Sequence, residues 1–499
     1  MVNSKAVRHV VVVGGGTAGW SSAALLIKLM GKAVKVTLVE SEEIGIVGVG
    51  EATIPPIMNF NAALGLDERA FLRDTKATIK LGIQFENWRQ TGGSYMHAFG
   101  NIGKDFPFCN FHHFWLRSQQ LNMGYDFWDF SLAYQAAVKH KFAKLERIEG
   151  VNLPGLSYAY HFDAGLYAGF LRKFSENLGV NRVEGKVQQV VLDTVSGDVQ
   201  KLILASGQQV TGDLFLDCTG LHGLLIDKQL NTGFEDWSHW LPADSAMAVP
   251  SESVNPITPY TRSIAHSNGW QWRIPLQHRI GNGFVYSSKY CSDEHAKQTL
   301  LANLDSAPLA EPRKISFRTG RRLKQWNRNV IAIGLSSGFL EPLESTSIHL
   351  IQSAVLRLLK FFPNNGICPA ERDEYNRQSK IEFEQIRDFI ILHYKLTERT
   401  DSQFWRDCQQ MDIPESLQRK IDVFRHSGRV FREQDELFTE IAWQQVMIGQ
   451  GIVPQDFHPL VNALSEDQLR DLLENLKAIM AMTSDKLPTH DEFLSKVCV

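Results

Sequence analysis

Gly14, Gly16 and Gly19 stand at the spacing G-x-G-x-x-G, behind the apolar run His9–Val13 and ahead of an Ala/Leu-rich stretch from Trp20 to about Met30. An alternating segment from Val34 follows and ends in Glu40, 21 residues after Gly19. The first glycine allows a tight turn. The second lets backbone N–H groups approach a pyrophosphate at a helix N-terminus, and the third permits close helix–sheet contact. Glu40 is placed to accept a hydrogen bond from a ribose hydroxyl, which favours an adenosine ribose without a 2′-phosphate. The competing reading is a glycine-rich turn that holds nothing. The order strand, glycines, helix, strand, acid argues against it.

Other reactive side chains read less sharply. Between 77 and 88, Ile79, Leu81, Ile83 and Phe85 alternate with Thr78, Lys80, Gln84 and Glu86, the period of a half-buried strand. On that pattern Lys80 lies on the polar face, as solvated lysines do. Glu344 precedes a helix, where the macrodipole favours an acid. His112-His113 have no carboxylate or cysteine at ligand spacing, so no metal is expected. Arg321-Arg322 reads as a solvated pair rather than a phosphate clamp.

The elements that position these groups follow from pattern and caps. Asp163 can cap a helix reaching about Leu178. Residues 182–217 read as short strands, with further strands near 269–276 and 283–288. Val330–Gly334 is an apolar strand ending in glycine, and a helix runs from about Thr346 to Phe361. Residues 97–150 are aromatic-rich and read as loops and helices. Beyond 369 the chain turns helical, with a capping box at Ser465 and Gln468. A glycine-rich stretch, Gly45 to Thr53, comes directly after the second strand, and a second strand–glycine element returns near 330–338. A cofactor held by segments this far apart is more like FAD than NAD.

The chain has 499 residues, 43% hydrophobic and 21% charged, with a net charge of −3. That composition belongs to a folded protein and removes nucleic acid and anionic membranes as partners. No apolar run nears the ~20 residues of a membrane span, and the N-terminal residues Met1 to Lys5 leave no room for a signal peptide. Six cysteines without a CxxC suit a reducing compartment, so the expected location is cytoplasmic. The 29 Phe and 11 Trp either fill core or line a pocket for a flat aromatic ligand.

Three motifs carry a resemblance. Gly14-Gly15-Gly16-Thr17-Ala18-Gly19-Trp20, Trp270-Gln271-Trp272-Arg273-Ile274-Pro275 and Phe339-Leu340-Glu341-Pro342-Leu343-Glu344-Ser345-Thr346 resemble the flavin-dependent tryptophan halogenases, from about residue 10 to 455. The resemblance implies an α/β fold. A Rossmann-like FAD-binding module of the flavin monooxygenase type (1–100 and 150–365) would interleave with a mostly helical substrate-binding module (101–149 and 366–499). It implies an enzyme that uses FADH2, O2 and chloride or bromide to make hypohalous acid, which travels through the protein to an electron-rich ring, most simply an indole. A separate NAD(P)H-dependent flavin reductase would supply FADH2. Assembly as a homodimer stays open.

Carried over residue by residue, the resemblance makes Lys80 the holder of the electrophilic halogen. Glu344 becomes the acid beside the reacting carbon, with Glu341 as runner-up. Thr346 and Ser347 would bind halide through backbone N–H groups. Gly14, Gly16, Thr17, Ala18, Gly19, Glu40, Gly50, Ala52 and Val187 would hold FAD, with Leu335 and Ile348 flanking its isoalloxazine. His97, Phe99 and Trp443 would meet substrate. Trp270, Trp272, Ile274 and Pro275 would separate it from the flavin, unless the two tryptophans are simply a core pair.

Two departures matter. The family commonly has glycine where Ser347 stands, which points to tolerance of, or preference for, bromide. No Tyr-Tyr pair occurs, and Ala442-Trp443-Gln444-Gln445 stands where free-tryptophan members clamp the amino-acid group. The expected substrate therefore lacks that handle or is a larger indole-bearing molecule. The alternatives are a halogenase of free tryptophan, a single-component flavin aromatic hydroxylase, and a binding module without catalysis. The Gly334-Leu335-Ser336 sequence argues against the hydroxylase, which usually carries Gly-Asp there.

Overall fold

The valines of His9–Val13 and Lys35–Glu40 fill two neighbouring parallel strands in the computed structural model of the chain, which describes residues 6–43 and 50–498. The expectations for Met1 to Lys5 and for the glycine-rich residues 45–49 lie outside the described residues. By compactness the chain forms two units.

The first unit is Met1–Ala77, Phe162–Asp244 and Ser316–Glu384. Its six-stranded sheet has the order Trp326–Asn327, Val330–Ala332, Leu214–Asp217, His9–Val13, Lys35–Glu40, Asn181–Glu184, and all but the first pairing are parallel. Parallel strands are buried on both faces, which explains why these segments read as apolar runs. Helix Thr17–Met30 buries nearly its whole length from Gly19 to Ile27 against its surroundings. It packs on helix Ala164–Asn177. The expected cap is present: the Asp163 carboxylate accepts from the N–H groups of Gly165 and Leu166 at 2.9 and 3.1 Å.

The second unit is Thr78–His161, Ser245–Ile315 and Gln385–Val499. A seven-stranded sheet runs in the order Arg313–Ser316, Ser245–Ser251, Ile280–Tyr286, Gly269–Pro275, Thr261–His266, Gly82–Glu86, Ser94–Ala98. The helices Glu440–Gly449, Glu466–Lys486 and His490–Val497 belong to this unit. Both hydrogen bonds of the Ser465–Gln468 capping box form.

The division departs from the expected boundaries. Residues 78–100 and 245–315 fall in the second unit because their strands hydrogen-bond into one sheet. The helical character expected after 366 holds, but the sheet beside those helices went unread. Strand Ser94–Ala98 was also unread among the aromatics, and Ile280–Tyr286 starts before the expected 283.

Candidate active site

In the first unit, the strand ends His9–Val13, Lys35–Glu40 and Leu214–Asp217 are tied together. Gly14 N–H donates to Val39 O and Cys218 N–H to Val13 O, both at 2.8 Å. Gly14 sits at φ +114°, and a Cβ there would stand 2.3 Å from Cys218 O. One on Gly19 would stand 1.8 Å from Gly14 O. Both positions are closed to any side chain. Around Gly16, by contrast, nothing lies within 4 Å of where a Cβ would be. Gly16 is the N-cap of a 14-residue helix that begins Thr17-Ala18, with no side-chain cap and no acid in its first turn. Open backbone at an uncapped helix start fits a pyrophosphate.

Glu40 ends its strand beside this turn. Its Oε1 accepts from Arg182 Nε at 2.6 Å and its Oε2 from Trp20 Nε1 at 3.2 Å. A Cβ on Gly15 would overlap Oε2, so the carboxylate lies directly on that glycine. Each oxygen can accept a second hydrogen bond, so the acid fits a ribose hydroxyl while paired. Gly185 N–H donates to Glu40 O at 2.8 Å, which brings the strand starting at Val187 alongside. Gly50 sits at φ +121°, Ala52 is buried, and burial pushes the intervening Glu51 carboxyl up to about 7. A Cβ on Gly334 would stand 2.9 Å from Ala18 Cβ, so the turn carrying Leu335 packs on the helix start. These residues fit an FAD-type dinucleotide.

Asp217 was missed. Its buried carboxylate accepts from Thr219 N and Oγ1 and from the N–H groups of Leu225 and Ile226, at 2.6–3.0 Å. It fixes the turn facing the glycines. The Asp-x-Thr-Gly pattern of residues 217–220 was the available signal, read only as a strand end.

The Pro342–Glu344 turn, Ser345 at φ +57° and helix Ser347–Lys360 form the second feature of this unit. Glu341 and Glu344 are both fully buried. Thr346 is the N-cap and makes no side-chain cap bond, so the backbone N–H groups where this 14-residue helix starts suit an anion. Ile348 is buried. Three residues on one face of this helix hold it to Glu382, whose carboxylate takes His349 Nε2 at 3.0 Å, Ser353 Oγ at 2.9 Å and Arg357 Nη2 at 2.5 Å. Those bonds outweigh burial and draw the Glu382 carboxyl down to about 2. A depressed acid stabilises the fold above its unfolded value and loses that contribution as pH falls from about 4.5 to about 2. Glu382→Gln should therefore cost about 3 kcal/mol at pH 7 by this linkage, and much less near pH 3, in urea titrations at the two pH values.

The arginines at 321 and 322 correct an expectation. Both are buried, and they pair with Glu235 and Asp227 at 2.6 Å each. They are structural ion pairs, not a solvated pair.

In the second unit, Lys80 is not on a solvated face. It is fully buried, because Thr78–Lys80 pairs antiparallel with Ala159–Phe162 and both strands lie inside. Its Nζ stands 5.4 Å from the centre of the Phe99 ring. Thr78, on the same strand face two residues away, donates to Pro275 O at 2.6 Å and bonds His161 Nδ1 at 3.0 Å. His161 Nε2 meets Thr261 Oγ1 at 2.9 Å. Since the Thr78 hydroxyl spends its one proton on Pro275, His161 must carry its proton on Nδ1. Burial first, then the neighbouring Lys80 and His490, hold His161 neutral by lowering its pKa. His490 receives the Ile79 N–H at 3.2 Å.

His97 and Phe99 flank Ala98, and their rings lie 6.3 Å apart edge to face. His97 continues to Phe389 at 5.7 Å and Phe438 at 6.3 Å, and Phe389 packs edge to face on Trp443 at 4.8 Å. The fold thus gathers Lys80, Phe99, His97 and Trp443 into one chain of contacts. Phe389 and Phe438 were missed, for lack of any local motif. Trp443 Nε1 donates to Glu436 at 2.9 Å, and the same buried carboxylate takes Lys420 Nζ at 3.0 Å and Glu433 N–H at 2.8 Å.

Trp270 is buried, its ring 6.1 Å from Trp88 and 6.2 Å from Trp272. Trp272 lies across the strand pair from Gly283, and a Cβ on Gly283 would penetrate its ring. Ile274 and Pro275 complete this strand. His112 and His113 are buried side by side, with His112 Nε2 bonded to Gly428 O at 2.6 Å. Among the described residues no group of three or more His, Cys, Asp or Glu could hold a metal ion. No helix among them is long and apolar enough to cross a membrane.

A family profile described as tryptophan halogenase matches residues 9–466. Tryptophan 6-halogenase SttH of Streptomyces toxytricini is 37% identical, over 91% of this chain and 91% of that protein. The solved structure of Xcc4156, a flavin-dependent halogenase from Xanthomonas campestris, is 50% identical over 99% of both chains with a TM-score of 0.95. That of BrvH, a flavin-dependent halogenase from Brevundimonas sp. BAL3, is 43% identical over 99% of both chains, also with a TM-score of 0.95.

Proposed function

The chain belongs to the tryptophan halogenase family of flavin-dependent enzymes, and from that premise we propose that it halogenates an indole, or another electron-rich aromatic, that lacks a free amino-acid group. The observation that carries this reading is the state of Glu436. A carboxylate near the aromatic cluster is what a substrate ammonium would seek, yet Glu436 is fully buried and already holds Lys420, Trp443 and the Glu433 N–H. Freeing it would strand Lys420 as an unpaired buried charge, a loss of about 3–5 kcal/mol. The rings of His97, Phe99, Phe389 and Phe438 suit a flat apolar partner instead.

Reduced FAD, when bound by the glycine turn and Glu40, supplies the two electrons that turn O2 and halide into hypohalous acid and water. A separate NAD(P)H-dependent reductase delivers it, in the cytoplasm. Thr346 and Ser347 hold the halide at the helix start. Lys80 then orients the electrophilic halogen by hydrogen bond, with Phe99 against its ammonium. The ring carbon forms the carbon–halogen bond as the oxygen–halogen bond breaks. Glu344 stabilises the cationic ring and takes its proton. Trp270 and Trp272 keep the ring from direct oxidation.

One reaction series tests the reading: FAD, a flavin reductase, NADH, and equal chloride and bromide, with indole, substituted indoles or tryptophan, analysed by mass spectrometry. Halogenated indole should form faster than halogenated tryptophan, with bromide incorporated at least as well as chloride. Efficient turnover of tryptophan with indole ignored refutes the substrate reading, and clear chloride preference refutes the halide one. A gain of one oxygen would point to the hydroxylase.

A further inference from the structure

Strand Ser94–Ala98 is an edge of the seven-stranded sheet. Phe99 N–H donates inward to Leu81 O at 2.8 Å. Backbone groups alternate in direction along a strand, so those of Ala98 point off the edge, away from Gly82–Glu86. Both are buried, and both meet one side chain. Ala98 N–H donates to Gln445 Oε1 at 2.9 Å, and Gln445 Nε2 donates to Ala98 O at 3.0 Å. Gln445 and Ala98 are buried. The primary amide here does what a neighbouring strand would do for one residue. Its donor and acceptor match the peptide in only one orientation.

The residues on either side of Ala98 are His97 and Phe99. Phe99 faces the Lys80 ammonium, and His97 packs on Phe389 and Phe438. Gln445 also lies on helix Glu440–Gly449, which carries Trp443 at its buried face. We propose that Gln445 is a positioning residue: by pairing with the Ala98 backbone it sets where the His97 and Phe99 rings stand against Lys80, and so which ring carbon of an indole-type substrate is presented. This rests on the function proposed above.

A side chain that merely fills space would act otherwise. Replacing Gln445 by an apolar residue leaves two buried backbone groups unpaired, and the edge must shift or admit water. Small displacements of a reacting ring change rates and orientation steeply. Gln445→Glu keeps the volume and the Ala98 N–H bond, and its ionised form, above the carboxyl pKa that burial raises, turns the second contact from attraction to repulsion. Gln445→Met keeps length and loses both bonds.

The test measures indole binding by calorimetry and the positional isomers of haloindole by chromatography, for the parent enzyme and both variants. Both variants should weaken indole binding about tenfold and redistribute the isomers, while the halide KM stays within about twofold, as that site lies on other elements. In a background carrying both His97→Leu and Phe99→Leu, Gln445→Glu should shift the isomers no further. If one variant fails to fold, the other carries the comparison, because the two disturb the edge differently. Unchanged indole affinity and isomer ratio in the folded variant overturn the proposal. A parent enzyme that binds indole but does not halogenate it would sink the functional reading instead, and the binding comparison would still decide the role of Gln445.

Discussion

Lys80→Met should abolish halogenation, lowering product formation by at least about 10³-fold, while FAD should still bind. Methionine keeps most of the volume of a fully buried side chain, so the strand Thr78–Lys80 and its brace through Thr78, His161 and Thr261 persist. What is lost is the donor beside Phe99. Mass spectrometry of the indole reaction reads the first effect, and flavin fluorescence titration reads the second. Retained halogenation in Lys80→Met or Lys80→Ala refutes the role given to this lysine. A separate signal reports its charge. Lys80 lowers the His161 pKa, so its removal must raise it, although burial and His490 still hold it below the ordinary value. Proton–nitrogen NMR of the histidines should show that upward move. An unchanged value would mean that Lys80 is not an ammonium in the resting protein.

Glu344→Gln is the second large effect. The glutamine keeps the shape of a buried side chain but can neither take a proton nor balance a cationic ring. Product formation should fall by about 10²–10³-fold, with the halide KM little changed. The adjoining Ser345 at φ +57° fixes the turn by which Glu344 leads into helix Ser347–Lys360. Such a conformation costs of order 1 kcal/mol for a residue with a side chain. Glu341→Gln is the necessary companion, since Glu341 is equally buried three residues earlier. Its loss should be at least tenfold smaller. If Glu341→Gln is the more damaging change, the two acids exchange roles.

The glycine turn was legible because its determinants are local. Gly14, Gly16, Gly19 and Glu40 belong to one strand–helix–strand unit, and backbone sterics alone dictate where glycine is required. The structure adds the distinction between Gly14 and Gly19, closed by Cys218 O and Gly14 O, and Gly16, left open. The Asp163 cap and the Ser465 capping box were legible for the same reason, since each closes within a few residues.

Lys80 and the two arginines show where such reading stops. Alternation marks a polar face, but not whether the rest of the fold covers it. Lys80 is buried with its Nζ over the Phe99 ring, and Glu235 and Asp227 neutralise Arg321 and Arg322 from elsewhere in the chain. Spacing could not show the division into units either, because strands from 78–100 and 245–315 find one another only by hydrogen bonding across long gaps.

By itself, then, the sequence determined the glycine turn, the capped helix starts and the motifs of the halogenase family, all set by short-range geometry and by residue type. Only the tertiary structure decided which polar groups are buried and what satisfies them: Lys80 against Phe99, Glu436 among Lys420 and Trp443, Gln445 on Ala98. The reason is physical. A buried polar group must find its partner wherever the chain brings one, and for Gln445 that partner lies 347 residues away.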